Sequence, residues 1–322
     1  MPKKLRVLVL CGGPSSEYEV SLNTAKMVLE NLDRKKYTPQ IAVIEKNGKW
    51  KFKDGKSLDL GNALARIKSR FDFVFIAMHG AFGEDGRMQA LLEWIGVPYE
   101  GSGVASSAMT MDKHVSNILY AVAGLRVPRY VLLHKKATKG KLNIPLPLPF
   151  VVKPQSGGSS VGISIVKEKK ALKPALVMAF REEDEVMVQE YINGREVTCG
   201  VLEHKNGKPF ALPPTEIIPR VSAFFDYKAK YAVGGSDEIT PARLPKQKIK
   251  ELQQMALVAH EALGCSGMSR SDFMLRGSRF YILETNTIPG MTQTSLLPQA
   301  ARAAGISFPQ LLDLLIKTGL KA

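Results

Sequence analysis

Short apolar runs that alternate with helical patterns limit the folds open to the first hundred residues. Residues 5–10 form an apolar run that leads to Gly12 and Gly13, after which apolar residues recur at helical spacing. A second run over 71–78 leads into the loop HGAFGEDG and a helical stretch that Gly96 is placed to end. Strands that alternate with helices along a chain form a parallel sheet covered by helices. The start of the chain is therefore predicted to be a parallel α/β domain.

The remainder of the chain predicts a mixed α+β arrangement. Two short strands, PFVVKP and VGISIV, are joined by the loop QSGGSS and are expected to form a hairpin. Apolar spacing indicates helices near 112–123, 174–180, 249–263 and 311–316 and strands near 127–133, 186–192, 196–202, 273–275 and 280–283. The length of 322 residues allows about two domains or three small ones. We expect three parts, over 1–102, 103–194 and 195–322.

Composition and charge exclude some classes of protein. Lys and Arg outnumber Asp and Glu by 45 to 30, but they are spread along the chain without a nucleic-acid-binding motif, so we expect no nucleic-acid partner. The longest apolar runs are far below the ~20 residues that a membrane-spanning helix needs, and no membrane association is expected. Cys11, Cys199 and Cys265 lie far apart among apolar neighbours, which predicts neither a disulfide framework nor a zinc site and fits a cytoplasmic protein.

A lysine beside a glycine loop is the first candidate for binding a phosphate group. Lys153 ends a predicted strand, and the loop SGGSS over 156–160 follows it. Glycines let backbone N–H groups approach phosphate oxygens, while the ammonium group supplies positive charge. The same pattern occurs in ordinary flexible turns, and Lys113 has the plain alternative of a lysine on a helix surface. On the residues alone, both interpretations stay open.

Three oxygen-bearing side chains near the end of the chain form a candidate metal site. Asp272 lies on one predicted strand, and Glu284 and Asn286 lie on the next. The i, i+2 spacing of Glu284 and Asn286 places both side chains on one face of a strand. Hard oxygen ligands are what Mg²⁺ beside nucleotide phosphates requires. The alternative is a solvated acidic strand end, although the apolar residues on both sides favour a buried site.

Two polar residues follow the predicted strands of the N-terminal domain. Glu17 comes after the first strand and its glycine turn, and His79 comes after the strand over 71–78. Open α/β sheets collect ligands at the carboxyl ends of their strands. Either residue could instead be structural, Glu17 as an acid at a helix start and His79 as a hydrogen-bonded core histidine. Together they predict a substrate pocket at this edge.

Seven blocks of sequence, in order and in spacing, carry a family resemblance over essentially the whole chain. They are GGPSSEYEVSL, MHGAFGEDGRMQALLEWIGVPYEGSGVASSAMTMDK, VVKPQSGGSSVG, INGREVTCGVL, FFDYKAKY, LGCSGMSRSDFML and ILETNTIPGMTQTSLLPQ. The chain resembles the D-alanine:D-alanine ligases of the ATP-grasp superfamily. The resemblance implies a parallel α/β domain followed by a two-part ATP-grasp fold, and a homodimer. It also implies ATP-dependent joining of two D-alanine molecules through a D-alanyl phosphate, for peptidoglycan precursor synthesis.

The resemblance implies roles for individual residues. ATP would be held by Lys113, Lys153, Gly157, Gly158, Ser160, Gln189, Glu190, Ile192, Glu196 and Lys230. Two Mg²⁺ ions, with Mn²⁺ as an alternative, would be bound by Asp272, Glu284 and Asn286. D-Alanine would be bound by Glu17, His79, Gly290, Ser295 and Leu296. The chemistry would be carried by Glu17, Ser159, Tyr231 and Arg270.

Single positions bear on specificity. Relatives that make D-alanyl-D-lactate carry Phe where this chain has Tyr231, so the resemblance implies a dipeptide product. Gln189 stands where many relatives have Glu, and Phe225 where some have Tyr. Because Gln can still accept a hydrogen bond, we expect nucleotide affinity to shift rather than vanish.

Two other interpretations of the function stay open. One is a ligase of the same fold with D-lactate, D-serine or another amine as its second substrate, which would keep the same ATP-binding and metal-binding residues. The other is a non-catalytic basic module that only holds a nucleotide or a nucleic acid. The set of Asp272, Glu284 and Asn286 argues against the binding module, because a binder needs no two-metal site.

Overall fold

The computed structural model describes residues 3–138, 142, 144–158, 162–220, 235–292 and 294–321. Four candidate residues of the sequence analysis lie outside the described residues, as does Phe225; the four are Ser159, Ser160, Lys230 and Tyr231. Within the described ranges the chain forms three sheets, and helices pack against each of them.

The N-terminal part is built on a sheet with the strand order β4-β3-β2-β1-β5. Its elements are β1 (Leu5–Gly12), α1 (Tyr18–Asn31), β2 (Tyr37–Ile44), β3 (Trp50–Phe52), β4 (Ser57–Leu58), α2 (Leu60–Arg70), β5 (Phe73–Ile76) and α3 (Arg87–Ile95). β1 is parallel to β2 and to β5, which confirms the predicted parallel sheet at its centre. β3 and β4 are antiparallel strands that we did not predict, and β4 forms the edge of the sheet. They follow tight turns at Gly48 and Gly55, and connections this short join only antiparallel neighbours.

The turn after β1 requires glycine. Gly12 has a φ of +84°, and a Cβ atom there would lie 2.3 Å from the carbonyl oxygen of Ile44. On α1, the hydroxyl of Ser21 accepts the N–H of Gly12 at 2.8 Å and donates to the carbonyl of Ala77 at 2.7 Å. These bonds fix the start of α1 over the carboxyl ends of β1 and β5. Glu17, the residue before α1, is placed at that edge.

A carboxyl group is buried in the N-terminal domain. Glu100 is 1% exposed, and its Oε1 accepts the N–H of Ile76 at 2.8 Å. Its second oxygen, Oε2, has no hydrogen-bond partner within the described part of the chain. Burial raises the pKa of Glu100 well above its ordinary value, because the charged form loses the solvation it has in water. The folded protein therefore keeps this group protonated over a pH range in which the unfolded chain has released the proton.

Glu100→Gln is expected to remove a pH dependence from the stability of the fold. Since the folded state has the higher pKa, the wild type loses stability as the pH rises above the ordinary value of about 4.3, until the folded pKa is reached. Gln resembles the protonated acid, so its stability should not fall with pH in this way. The free energy of unfolding of the variant should therefore exceed that of the wild type by an amount that grows by up to about 1.4 kcal/mol per pH unit in that window. Urea denaturation at about pH 4, 6 and 8 measures the difference.

The matched control for this prediction is Glu30→Gln, which changes an exposed carboxylate on α1. The free energy of unfolding of this control should equal that of the wild type at every pH. A difference between Glu100→Gln and the wild type that stays constant from acidic to alkaline pH would contradict a protonated Glu100.

The middle of the described chain forms an antiparallel sheet with the strand order β6-β9-β7-β8. The elements here are α4 (Val104–Met111), α5 (Lys113–Val122), β6 (Tyr130–His134), β7 (Phe150–Pro154), β8 (Ser164–Val166), α6 (Leu172–Glu182) and β9 (Glu185–Glu190). β7 and β8 pair as the predicted hairpin. α6 packs against this sheet, and Val152, Ala179 and Val188 belong to the apolar core between them.

The C-terminal part contains a sheet with the strand order β13-β12-β10-β14-β15, and β11 pairs with β10. Its elements are β10 (Arg195–Glu203), β11 (Pro209–Ala211), β12 (Thr215–Pro219), β13 (Ser236–Ile239), α7 (Lys246–Ala262), β14 (Met268–Arg276), β15 (Arg279–Asn286), α8 (Leu296–Ala303) and α9 (Phe308–Gly319). α7 packs against β10 and β14. None of the helices in the described ranges is both long enough and apolar enough to cross a bilayer.

The last two helices complete the hydrophobic core of the N-terminal domain. Leu297 on α8 and Leu312 on α9 belong to the same buried apolar cluster as the side chains of β1 and β5. At the edge of this contact, Asp313 on α9 accepts hydrogen bonds from Lys36 at 2.9 Å and from the hydroxyl of Tyr37 at 2.7 Å. The boundaries of the three predicted parts stay predictions, but the first part shares its core with the end of the chain.

Candidate active site

A cavity of about 330 Å³ opens between the four-stranded sheet and the C-terminal sheet, and we call it the central cavity. The residues that line it include Val151, Lys153, Ile165, Gln189, Glu190, Ile192, Glu196, Ile217, Asp272, Met274, Leu283 and Glu284. The fold thus gathers candidate residues from five strands and one connecting segment into one cavity.

Part of the central cavity suits a flat aromatic base. Val151, Ile165 and Leu283 give it apolar walls. Among them lies Gln189, which is 3% exposed and whose Nε2 has no hydrogen-bond partner within the described residues. The edge of a purine carries both donors and acceptors, and a Gln amide can pair with both. A buried amide between apolar walls is the arrangement expected of a base-binding pocket.

The carboxylate of Glu190 is bound by arginines. It accepts hydrogen bonds from Arg129 at 3.2 Å and from Arg276 at 2.9 Å. These contacts hold β9 next to β6 and β14. A contact between Glu190 and a base would therefore come from its backbone.

Two buried lysines lie beside the glycine loop. Lys153 on β7 is 5% exposed, and Lys113 at the start of α5 is 6% exposed. The Lys113 ammonium donates to the carbonyl of Gly157 at 2.7 Å, which excludes the alternative of a lysine on a helix surface. Burial, together with the charge of Lys113, lowers the pKa of Lys153 to about 8, although Glu284 acts in the opposite direction. Because an anion would relieve the repulsion between two like charges, this pair favours a phosphate ligand.

Arg270, Asp272, Glu284 and Asn286 face one another across β14 and β15. Asp272 is paired with Glu284 in the strand register, and Arg270 with Asn286. Arg270 donates to both carboxylate oxygens of Asp272, at 3.0 and 2.9 Å. The hydroxyl of Thr198 donates to the same carboxylate at 2.5 Å. The expected metal ligand and the expected catalytic arginine are therefore bound to each other in this structure.

The residues on these strands fit a magnesium site that nucleotide phosphates complete. Asp272, Glu284 and Asn286 present hard oxygen atoms, and Mg²⁺ in nucleotide sites is usually held by one or two carboxylates together with phosphates and water. The described residues contain no group of three or more His, Cys, Asp or Glu side chains that could hold a metal ion by themselves. A metal ion on Asp272 would share this carboxylate with Arg270 and Thr198.

A second cavity, of about 100 Å³, lies where the N-terminal domain meets the C-terminal sheet, and we call it the junction cavity. It is lined by Glu17, Val20, His79, Glu84, Glu238, Arg270, Asn286, Ile288, Pro289, Gly290, Thr294, Ser295 and Leu296. His79 is 4% exposed, with Nε2 at 2.8 Å from the hydroxyl of Thr24 and Nδ1 at 3.5 Å from Glu84. The five residues predicted to bind D-alanine all line this one cavity.

The glycine loop lies next to the central and junction cavities, although no described residue of the loop lines either of them. A small cavity of about 30 Å³ adjoins them and is lined by residues that include Lys113, Gly157, Gly158, Glu284 and Asn286. A Cβ atom on Gly158 would lie 3.1 Å from Oε2 of Glu17, so the loop lies against the junction cavity. The predicted grouping of Glu17 with Ser159 and Tyr231 stays a prediction, because the last two lie outside the described residues.

Among the polar residues at this site that sequence reasoning missed, three bear on the chemistry. Glu84 and Glu238 line the junction cavity, and Thr198 holds Asp272. Glu84 belongs to the loop HGAFGEDG that follows β5, so its position after a strand end was a usable signal. Thr198 and Glu238 have no local pattern, and each reaches the site through the register of its strand.

Two family models match the chain. The D-ala D-ala ligase N-terminus matches residues 6–65 and 59–102, and the D-ala D-ala ligase C-terminus matches residues 119–317. Among curated relatives, the D-alanine–D-alanine ligase of Leptospira interrogans is 39% identical over 347 residues, which cover 98% of each chain. The D-alanine–D-alanine ligase of Syntrophobacter fumaroxidans is 42% identical over 322 residues, or 99% of each chain.

Solved structures agree with these matches. The VanG D-Ala:D-Ser ligase of Enterococcus faecalis has a TM-score of 0.83 and 34% identity, covering 99% of this chain and 100% of that chain. The D-alanine–D-alanine ligase of Bacillus anthracis complexed with ATP has a TM-score of 0.81 and 35% identity, covering 98% of each chain. These likenesses confirm the predicted α/β domain followed by a two-part ATP-grasp fold. The chain therefore belongs to the D-alanine–D-alanine ligase family.

Proposed function

We propose that the protein joins two D-alanine molecules into D-alanyl-D-alanine, with conversion of ATP to ADP and phosphate, for peptidoglycan precursor synthesis. The observation that carries this proposal is the meeting of the central and junction cavities along β15, at Glu284 and Asn286. A nucleotide in the first cavity and an amino acid in the second would bring a terminal phosphate beside a carboxylate. We propose D-alanine as the substrate because the relatives are named D-alanine–D-alanine ligases.

In this proposal ATP occupies the central cavity. The base and the ribose are bound by Gln189, Glu190, Ile192 and Glu196. The phosphates are bound by Lys113, Lys153, Gly157 and Gly158, to which the family resemblance adds Ser160 and Lys230. The apolar walls exclude water from the base, and the buried lysines supply charge that needs no rearrangement when the phosphates arrive.

The first step makes an acyl phosphate. A carboxylate oxygen of the first D-alanine attacks the γ-phosphorus, and the bond from phosphorus to the ADP oxygen breaks. Such a transfer requires positioning and charge neutralisation more than covalent help from the protein. Glu17 holds the ammonium group of this D-alanine, with His79 beside it, and Lys153 holds the phosphate oxygens. When bound by Asp272, Glu284 and Asn286, two Mg²⁺ ions, or Mn²⁺ in their place, neutralise phosphate charge.

The second step forms the peptide bond. Ser295 and Leu296 bind the carboxylate of the second D-alanine, whose amine attacks the acyl carbon and forms a tetrahedral intermediate. The bond from that carbon to the phosphate oxygen then breaks, and the departing phosphate takes a proton from the nitrogen. The hydroxyl of Ser295 is already positioned, since it accepts the N–H of Thr292 at 2.9 Å. Arg270 and the N–H of Gly290 stabilise the oxyanion of the tetrahedral intermediate. The resemblance adds Ser159 and Tyr231 to this set.

Mass spectrometry of the products tests the proposal. The protein would be incubated with ATP, Mg²⁺ and D-alanine, alone or together with D-serine, D-lactate or L-alanine. We expect D-alanyl-D-alanine and ADP in equal amounts. The likeness to the VanG D-Ala:D-Ser ligase makes D-alanyl-D-serine the second candidate product. ADP without any ligation product would direct the search to other amines, whereas no consumption of ATP would refute the proposal.

ATP binding is expected to take up protons near pH 8. Because the pKa of Lys153 is lowered to about 8 in the free protein, about half of the molecules lack this proton at that pH. Phosphate oxygens favour the charged amine and raise its pKa, so binding should take up about half a proton per site at pH 8 and far less near pH 6. The number of protons taken up per site can be measured by calorimetry with a non-hydrolysable ATP analogue, in buffers of different ionisation enthalpy.

Lys153→Arg is the control for proton uptake, since a guanidinium group stays protonated in this pH range. The variant should bind the analogue without the uptake near pH 8. Equal uptake by the variant and the wild type would show that another group takes the proton.

The family resemblance also supports a homodimer in the cytoplasm as part of this proposal. Cys11, Cys199 and Cys265 are buried thiols without disulfides, and such cysteines fit a reducing compartment. Sedimentation of the purified protein with and without ATP tests the dimer.

A further inference from the structure

The junction cavity contains a carboxylate that the proposed chemistry leaves without a role. Glu238 on β13 lines this cavity together with Arg270, Ser295 and Leu296. The amide of Gln299 on α8 donates to the backbone carbonyl of Glu238 at 3.0 Å. β13 is therefore tied to the helix whose first turn binds the carboxylate of the second D-alanine. Glu238 lies on the second-substrate side of the cavity.

The other titratable groups of the junction cavity already have tasks. Glu84 accepts the N–H of Gly80 at 2.9 Å and lies 3.5 Å from His79, whose other nitrogen bonds to Thr24. Glu17 lies against the glycine loop and is assigned to the first ammonium group. Arg270 has a guanidinium group, which stays protonated near neutral pH and cannot accept a proton. Glu238 is the remaining carboxylate that lines the cavity among the described residues.

The surroundings of Glu238 suit a group that exchanges protons. Its Oε1 accepts the hydroxyl of Ser236 at 3.2 Å. Burial raises the pKa of Glu238 above its ordinary value, although the hydrogen bond from Ser236 and the charge of Arg270 oppose this. A carboxylate with a raised pKa is a better proton acceptor than an ordinary one.

The reaction needs such an acceptor. The second D-alanine arrives with an ammonium group, which has no lone pair and cannot attack. We propose that Glu238 is a catalytic residue that binds this ammonium group and accepts its proton, an inference that rests on the proposed function. The proton moves from nitrogen to Glu238 Oε, the freed lone pair forms the C–N bond, and the bond from the acyl carbon to the phosphate oxygen breaks. The departing phosphate takes the second proton from nitrogen, and Glu238 returns the first to solvent.

Hydroxylamine separates proton transfer from the rest of the reaction. It is uncharged at neutral pH, so it can trap D-alanyl phosphate as the hydroxamate without needing a base. Wild type, Glu238→Gln and Asp237→Asn would each be assayed with ATP, Mg²⁺ and D-alanine, with and without hydroxylamine. Asp237 is the matched control, because it is the neighbouring acid on β13 and binds Arg220 at 2.6 Å instead of lining the cavity.

We expect Glu238→Gln to lower the rate of dipeptide formation by about 100-fold or more, as for the loss of a general base, while the rate of hydroxamate formation changes by less than about threefold. In the wild type, kcat/KM for the second D-alanine should fall at acidic pH as Glu238 becomes protonated. This fall should be absent in Glu238→Gln. Asp237→Asn should match the wild type in both reactions.

Two results would overturn the role of Glu238 while leaving the proposed function intact. One is an equal fall of dipeptide and hydroxamate in Glu238→Gln, which would assign the residue a structural role. The other is a Glu238→Gln enzyme that makes dipeptide at the wild-type rate. A wild-type protein that makes neither product would refute the proposed function, and with it the role of Glu238.

Discussion

Lys153→Met is expected to lower kcat/KM for D-alanyl-D-alanine formation by about 1,000-fold, the scale at which buried donors to transition-state charge act. Lys153 lies almost fully buried beside Lys113, so water cannot readily replace its charge. Met keeps much of the length of the side chain and relieves the repulsion between the two lysines. The free energy of unfolding should therefore stay equal or rise. An assay of ADP release in the presence of D-alanine measures the loss of activity, and urea denaturation measures stability.

The control for this variant is Lys51→Met, which removes an exposed lysine from the short strand β3. It should leave both activity and stability unchanged. If Lys153→Met keeps kcat/KM within about tenfold of the wild type, the phosphate-binding assignment of Lys153 is wrong. A fall in activity together with a fall in stability would mean that the lysine supports the fold instead.

Glu284→Gln is expected to have an effect of similar size, about 1,000-fold on kcat, because it removes a negative charge from the place where we propose that the phosphates and Mg²⁺ bind. Gln keeps the shape of the side chain, so the register of β14 and β15 should be preserved. The first readout is ADP release. The second is Mn²⁺ binding in the presence of ADP, followed by electron paramagnetic resonance, which reports on the metal site independently of catalysis.

Glu185→Gln serves as the control for the metal site, since Glu185 is an exposed carboxylate at the start of β9. It should bind Mn²⁺ and turn over like the wild type. Unchanged Mn²⁺ affinity in Glu284→Gln would remove Glu284 from the set of metal ligands, whatever happens to the activity.

The parts of the site that follow from local geometry were predictable from the sequence. Glu284 and Asn286 share a face because side chains alternate along any strand. The approach of the glycine loop to Lys153 follows from the hairpin of β7 and β8. The helix α7 was predictable because 17 residues contain several repeats of the helical period.

Other parts depend on which strands become neighbours, and no local pattern contains that information. The bond between Arg270 and Asp272, and the arrival of Thr198 at the same carboxylate, follow from the register of β10, β14 and β15. Glu238 reaches the junction cavity only because β13 is the edge strand beside β12. Strands β3 and β4, with three and two residues, are too short for periodicity to reveal them.

The packing of α9 against α1 also bears on the order of events during synthesis. A domain whose core lies within its own sequence can fold while the ribosome is still at work, at roughly 5–20 residues per second. Here α1, against which α9 packs, belongs to residues made far earlier, and Leu312 on α9 lies in the same buried cluster as the side chains of β1 and β5. At that speed the N-terminal domain waits roughly 10 to 40 s for the helix that packs against α1. We therefore expect the nascent chain to need protection from aggregation until its last two helices emerge.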